Sequence, residues 1–149
     1  MPRKLIWLLF LLSAVLTAQA AAAEPLVGTW TLSSQTVNGR KVDSDQLTLR
    51  VYPVGDALEF AFSVPVNGVH LVSLKFTSVH LDGKGGSVED VRGTKIGTVQ
   101  VTKVSALEYK AVMEGANRPK AVTKMTISTD GKTLTSESDK STIQVFTRR

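Results

Sequence analysis

Hydrophobic and polar residues alternate along most of the chain beyond residue 26. The clearest case is residues 57–66, where Leu58, Phe60 and Phe62 share one face and Glu59 lies on the other. Because successive side chains of a strand point to opposite sides, this alternation predicts a half-buried β-strand. No long segment in this part of the chain has a helical period, so we expect almost no helix. The same alternation predicts strands over residues 46–52, 99–102, 107–114 and 121–127.

Short turn sequences separate the predicted strands. Asn38-Gly39 and Asn67-Gly68 supply the positive φ angles of a tight hairpin turn, and Asp130-Gly131 is a further turn. The spacing gives about nine strands, which is typical of a sandwich or a barrel. Since no long crossover occurs, a meander is the simplest connection, and pairing of its first and last strands would remove the exposed edges. We therefore predict an all-β fold, a single closed antiparallel up-and-down β-barrel of about eight or nine strands. Both faces of residues 69–81 are mixed, and residues 87–97 are the least readable part of the chain.

The beginning of the chain has the features of a secretory signal peptide. Two basic residues precede an apolar run over residues 5–16, and a small-x-small pattern suited to signal peptidase ends at Ala20. We expect a leader helix that is cleaved after Ala20 or after Ala23. A retained membrane anchor is the alternative, but the apolar run is shorter than the ~20 residues that a spanning helix needs. The predicted organisation is a signal peptide at residues 1–23 and one barrel domain at residues 24–149, secreted or periplasmic, with no stable membrane insertion after cleavage.

Composition narrows the classes of function further. The chain has no cysteine, which excludes disulfides, thiolate metal sites and cysteine nucleophiles, so the domain must be stable on packing alone. Without the two basic residues of the leader, 16 basic and 13 acidic residues leave a net charge of +3. The lysines are spread along the sequence, which favours a solvated barrel exterior over a nucleic-acid or membrane patch. We expect a monomer that binds no nucleic acid.

Gly28-Thr29-Trp30 lies at the start of the first predicted strand after the leader. This sequence resembles the Gly-x-Trp signature of the lipocalin and fatty-acid-binding-protein superfamily, the calycins. The strand pattern extends the resemblance, which is nearest to small exported lipocalin-like proteins of bacteria, over residues 26–149. It implies that Trp30 plugs the closed end of the barrel and that a basic residue of the last strand packs across it. Arg148 is in the position of that residue, with Arg149 as the substitute, and such a cation–π contact is worth ~0.5 to 2 kcal/mol.

Two departures from that superfamily limit what the resemblance implies. Thr129-Asp130 is followed by Gly131, so the Thr-Asp-Tyr motif of typical lipocalins is missing. The link over residues 38–45 is too short for the paired helices of fatty-acid-binding proteins. The ligand type of either family is therefore not carried over to this chain.

No arrangement of residues in the sequence points to catalysis or to a metal. His70 and His80, the only histidines, lie in one predicted strand, about 33 Å apart at ~3.3 Å per residue, so they should not share a metal ion. Residues 83–87 lack the spacing of a phosphate-binding P-loop, and no Gly-x-Ser-x-Gly elbow occurs. We therefore predict no enzyme activity, no cofactor and no metal site. Catalysis that involves the histidines or Tyr109 is a third hypothesis, behind the two that follow.

The inward face of the predicted barrel carries the main functional hypothesis. Its apolar side chains either fill the barrel or leave a lumen that binds a small hydrophobic or amphipathic molecule, with Tyr109 or a buried threonine orienting its polar end. In the alternative hypothesis, a solid barrel acts through the loops at residues 83–89 and 115–119 as an envelope interaction module or an enzyme inhibitor. The predicted lumen residues are Leu49, Val51, Phe60, Phe62, Tyr109, Met113 and Met125.

Overall fold

A computed structural model gives the structure of the protein for residues 23–43, 46–139 and 141–149. The predicted signal peptide, with its helix, falls on residues 1–23 and so lies outside the described residues except for its last position. Within the described residues every regular element is a β-strand. The strands are β1 (Gly28–Val37), β2 (Arg40–Val42), β3 (Thr48–Val54), β4 (Ala57–Val66), β5 (Val69–Val79), β6 (Gly86–Asp90), β7 (Lys95–Lys103), β8 (Glu108–Gly115), β9 (Arg118–Ile127), β10 (Thr133–Ser138) and β11 (Thr142–Arg148).

The strands form a closed antiparallel ring. Each strand from β3 onward pairs with the next, and β1 pairs with β11, where Trp30 lies opposite Arg148. On its other edge β1 pairs with β3 through residues 28–31 and with the short β2 through residues 35–37. β2 therefore extends one wall, and ten strands close the ring. The prediction of a closed antiparallel up-and-down barrel is confirmed.

The ring has one or two more strands than predicted, because the segment without a readable pattern forms β6 and the start of β7. Gly86 opens β6 at a buried position, where a Cβ atom would come within 2.7 Å of the Thr77 carbonyl oxygen. Only glycine fits there, so no apolar side chain marks this inward position in the sequence. β6 is also only five residues long, too short for alternation to stand out.

The turns define two ends of the barrel. Those after β1, β4, β6, β8 and β10 lie at one end, named here the open end. The N-terminal segment over residues 23–27 and the turns after β3, β5, β7 and β9 lie at the other end, named here the closed end. At the open end Asn38-Gly39 and Asn67-Gly68 have φ angles between 50° and 79°, as predicted for tight hairpin turns.

Apolar side chains fill most of the barrel interior. The largest of the fully buried ones belong to Trp30, Tyr109, Phe60 and Phe146. Full burial of a large apolar side chain contributes roughly 2–3 kcal/mol, so this packing is the main source of stability in a chain without disulfides. The other buried members of the cluster are Leu26, Leu49, Val51, Phe76, Val79, Val88, Val99, Val101, Ala111, Met125, Ile127 and Leu134.

Candidate functional site

The closed end of the barrel is built around the Trp30 indole. Trp30 is completely buried, and its Nε1 donates a 3.0 Å hydrogen bond to the Leu26 carbonyl oxygen. The Arg148 guanidinium lies over the ring, 4.2 Å from the ring centroid. Residues directly opposite each other in an antiparallel pair share a face of the sheet, so the register of β1 with β11 brings the two side chains together. The two residues that the family resemblance implied as partners are therefore in contact.

Three backbone carbonyl groups accept hydrogen bonds from the Arg148 guanidinium. Its nitrogens lie 2.8 Å from the Gly131 oxygen, 2.9 Å from the Val27 oxygen and 2.5 Å from the Pro25 oxygen. A planar guanidinium serves several acceptors at fixed angles, and its charge strengthens each bond. One side chain thus joins the N-terminal segment to the turn between β9 and β10. Gly28 leaves room for it, since a Cβ atom there would lie 2.5 Å from an Arg148 nitrogen.

A second polar cluster at the closed end consists of Tyr109, Glu24 and Lys103. The Tyr109 hydroxyl donates a hydrogen bond to the Glu24 carboxylate, whose two oxygens lie 2.9 and 3.2 Å from Lys103 Nζ. Burial, together with the adjacent carboxylate, raises the pKa of Tyr109, so its hydroxyl stays protonated and continues to donate. The cluster fastens the N-terminal segment to β7 and β8.

Between this packed end and the open end the barrel interior contains a partly open cavity of about 180 Å³. Three polar side chains, those of Thr123, Ser136 and Gln144, come from the adjacent strands β9, β10 and β11 and form one side of its wall. The Gln144 amide donates a 3.3 Å hydrogen bond to the Gln35 side chain. None of the described residues that line the cavity is charged or titratable near neutral pH. The apolar lining consists of Leu49, Phe60, Phe62, Leu74, Phe76, Val101, Ala111, Met113, Met125, Leu134 and Phe146.

Most of the predicted lumen residues face this cavity. Val51 and Tyr109 are the exceptions, because they are fully buried and do not line it. The Tyr109 hydroxyl is already bound to Glu24, so the polar groups of the cavity come from β9, β10 and β11 instead. The predicted lumen residues that line the cavity are Leu49, Phe60, Phe62, Met113 and Met125.

Sequence reasoning missed the cavity-lining residues of β5 and two of the three polar residues of the wall, Ser136 and Gln144. The register between β4 and β5 shifts twice, so the inward residues of β5 do not follow one alternation. A polar residue in a strand is normally predicted to face solvent, so the sequence does not show that it points inward. Ser136 lies two residues from Leu134, and Gln144 lies two residues from Phe146. Residues two apart in a strand share a face, so the spacing of these polar residues from buried apolar ones was the signal that they point inward.

A second hollow, of about 610 Å³, lies at the open end beside the turn between β8 and β9. Leu74 and Met113 line both this hollow and the inner cavity, so the two adjoin. Lys95 and Arg118 are its cationic residues, and Glu114, its single carboxylate, is paired with a lysine of β9 at 3.5 Å. The hollow leads from the open end toward the cavity and is named here the entrance hollow.

The other residues considered for chemistry are scattered over the barrel. His70 lies near the start of β5 and His80 directly after its end, so the two histidines are at opposite ends of the barrel. Nowhere in the described chain do three or more His, Cys, Asp or Glu side chains converge as they would around a metal ion. The predicted loop at residues 83–89 is wrong for residues 86–89, which belong to β6, so only residues 83–85, at the closed end, form a loop there. The turn within residues 115–119 lies at the open end, so the two do not share a surface. No described segment forms a helix that is long and apolar enough to cross a membrane.

No protein-family model matches the chain, and no curated protein is significantly similar to it in sequence. What the barrel does must therefore follow from its interior and its surfaces. The inner cavity is the candidate site, because apolar walls and convergent polar groups meet there inside the molecule.

Proposed function

We propose that the protein is an exported, monomeric binding protein that holds one small hydrophobic or amphipathic molecule in its lumen and catalyses no reaction. The observation that carries the proposal is the cavity of about 180 Å³, with its apolar wall and three convergent polar side chains. Small-molecule sites are typically concave, mostly apolar and equipped with a few placed polar groups. The predicted signal peptide supports a secreted or periplasmic location.

The cavity favours a compact and uncharged ligand. An engineered apolar cavity of about 150 Å³ in another protein binds benzene, so this cavity suits roughly one substituted aromatic ring. No described lining residue is available to neutralise a buried charge, and an unpaired charge is costly inside a protein. A hydroxyl or carbonyl group of the ligand would instead hydrogen-bond to Thr123, Ser136 or Gln144.

A calycin-type relationship supports the same proposal. β1 opens with Gly28-Thr29-Trp30, and Arg148 of the last strand covers the indole at the closed end. The closed antiparallel meander is the architecture that the resemblance implies. On these grounds we assign residues 24–149 to a lipocalin-like barrel domain.

Probes of matched shape test the proposal. Para-ethylphenol and para-ethylbenzoate have the same ring and tail but differ in charge, and isothermal titration calorimetry measures the binding of each to the exported form of the protein. We expect the phenol to bind and the benzoate to bind at least about tenfold more weakly, because the cavity leaves a carboxylate unpaired. If neither probe nor any similar neutral aromatic compound binds, the lumen is not a ligand site.

Two leucine substitutions separate the cavity from the outer surface. Ala111 lines the cavity, so Ala111→Leu should fill part of it and abolish binding. Ala61 lies on the outward face of β4, opposite Arg50, so Ala61→Leu adds the same atoms outside the barrel and should leave binding unchanged. Ser136→Ala should weaken the phenol but not an apolar probe such as para-xylene, since only the phenol uses the polar wall. Circular dichroism verifies the fold of each variant, and a folded Ala111→Leu protein that binds like the parent would contradict the proposal.

A further inference from the structure

The hairpin between β4 and β5 extends past its neighbours at the open end. β3 pairs with β4 only as far as Ser63, and β6 pairs with β5 only from Leu74. Residues 64–73, named here the arm, therefore project as a two-stranded hairpin whose outer edges meet no other strand of the described chain. Uncovered strand edges are normally protected by charged residues, yet the arm contains no Asp, Glu, Lys or Arg.

Exposed apolar side chains are concentrated on the arm and around the neighbouring turn between β6 and β7. Val69 on the arm is 59% exposed, and Val91 in that turn is 69% exposed. Single exposed apolar residues are ordinary, whereas a cluster of them marks an interaction surface. Of the nine large apolar side chains that are exposed in the described residues, six lie here: Val66, Val69, Leu71, Val72, Val91 and Ile96.

Cationic side chains lie beside this apolar surface. Arg92 follows Val91, and Lys95 and Arg118 line the entrance hollow. None of these three cations has an ion-pair partner among the residues that the structure describes. The nearby Asp90 carboxylate accepts hydrogen bonds from backbone N–H groups of its own turn. The open end thus combines apolar tips with unpaired positive charge.

An anionic lipid surface would accommodate both the exposed apolar side chains and the unpaired cations of the open end. A second copy of the chain would cover only the apolar side chains. Two arms could pair edge to edge, but the dimer would bring the cations of both copies together. In a lipid interface, apolar tips enter the headgroup boundary while lysine and arginine attract anionic headgroups. We propose that the open end of the barrel docks reversibly on an anionic phospholipid membrane through the arm, Arg92, Lys95 and Arg118. This docking goes beyond the proposed ligand binding and does not depend on it.

Sedimentation with lipid vesicles tests the proposal. The full chain is expressed with its leader, the exported form is purified, and mass spectrometry verifies that all variants have the same N terminus. Vesicles of phosphatidylglycerol mixed equally with phosphatidylcholine are compared with vesicles of phosphatidylcholine alone. We expect the protein to bind the anionic vesicles, and at least about tenfold more weakly when the anionic lipid is absent or when sodium chloride is raised to about 0.5 M.

Paired variants distinguish the open end from the rest of the surface. Val69→Asp puts a charge on the arm and should lower binding to anionic vesicles at least about tenfold. Val104→Asp is the matched control and should bind like the parent, because Val104 is 61% exposed but lies at the closed end. Arg118→Glu should weaken binding at least about fivefold, whereas Lys132→Glu, an exposed cation at the closed end, should not.

Two results would overturn the proposal. One is that the Val69→Asp protein binds anionic vesicles like the parent. The other is that the parent protein binds both kinds of vesicle equally. Light scattering on the same samples detects a dimer. If the parent is a dimer that Val69→Asp dissociates, and no vesicle binding occurs, the arm serves self-association instead. Circular dichroism verifies that Val69→Asp folds, and if it does not, Leu71→Asn on the same arm is expected to give the same loss of binding.

Discussion

Replacing Arg148 by methionine removes the guanidinium but keeps a long apolar side chain over Trp30. Three hydrogen bonds, with lengths of 2.5, 2.8 and 2.9 Å, and the cation–π contact at 4.2 Å are lost. A hydrogen bond from a charged donor contributes ~1.5–3 kcal/mol when buried, and nearer ~1 kcal/mol here because Arg148 is half-buried. Adding ~0.5 kcal/mol for the cation–π contact, we expect the free energy of unfolding to fall by about 3.5 kcal/mol.

Urea unfolding followed by tryptophan fluorescence measures this loss. Trp30 is the only tryptophan after residue 23, and it lies directly beneath the group that is removed. With a urea m value of about 2 kcal/mol per molar, a loss of about 3.5 kcal/mol moves the unfolding midpoint about 1.7 M lower. For a domain of this size the melting temperature should fall by about 10 °C.

Arg149→Met is the matched control for this substitution. Arg149 is the exposed neighbour of Arg148, and its side chain makes no hydrogen bond or ion pair with the described residues, so its variant should unfold like the parent. Arg148→Lys should recover only part of the lost stability, because an ammonium group keeps the charge but cannot reach three carbonyl groups in one plane. If the free energies of unfolding of Arg148→Met and Arg149→Met agree within about 0.5 kcal/mol, the guanidinium does not hold the closed end together.

Three further substitutions test other contacts. Gly28→Ala should lower the free energy of unfolding by about 1–3 kcal/mol in the urea assay. The new Cβ atom would clash with the Arg148 guanidinium, and the φ of 149° at this position is strained for alanine. A parent-like midpoint would show that the guanidinium moves aside freely. Tyr109→Phe should lose about 1–2 kcal/mol at neutral pH, since the Glu24 carboxylate loses its hydroxyl donor, and an unchanged melting temperature would refute this. Hydrogen bonds from a lysine and a tyrosine on the neighbouring strands hold the pKa of Glu59 below its ordinary value of 4.5. The ionised carboxylate therefore stabilises the fold at pH values above 4.5. This stabilisation is lost as the pH falls through the folded-state pKa. Glu59→Gln should therefore be less stable than the parent by up to about 1 kcal/mol at neutral pH and equally stable in strong acid, and a gap that persists in acid urea titrations would contradict this origin.

The signals that revealed the fold are local ones. The alternation around Phe60 and Phe62 and the turn at Asn67-Gly68 depend on neighbouring residues only, and both were readable without knowledge of the partners. Closure followed from them because a meander of short hairpins leaves two edges that pairing removes, and β1 and β11 do pair. Periodicity and turn chemistry together were sufficient for the architecture.

The features that shape the cavity and the arm depend on where neighbouring strands stop, which no local pattern records. Val66 continues the alternation of Phe62 and reads as an inward residue, yet it is exposed because the pairing of β3 with β4 ends at Ser63. Gly97 lies opposite Gly115, and a Cβ atom on Gly97 would overlap the backbone of β8. These glycines let two strands approach closely at the entrance hollow. In the sequence they only interrupt the alternation of apolar residues and do not indicate which strand approaches.

The two ends of the barrel have different physical roles, and this difference can be measured. A lumen of about 180 Å³ leaves the side chains around it without packing partners on one side, which lowers the free energy of unfolding. In a domain without cysteine, the contacts of Arg148 and of Glu24 at the closed end offset part of this loss. These contacts involve none of the described residues that line the cavity, so the two ends should contribute independently to the free energy of unfolding. A neutral aromatic ligand should therefore raise the urea midpoints of the parent and of Arg148→Met by the same amount at equal ligand concentration. Unequal shifts would show that removing the guanidinium also changes the lumen, and the two ends would then act as one coupled unit.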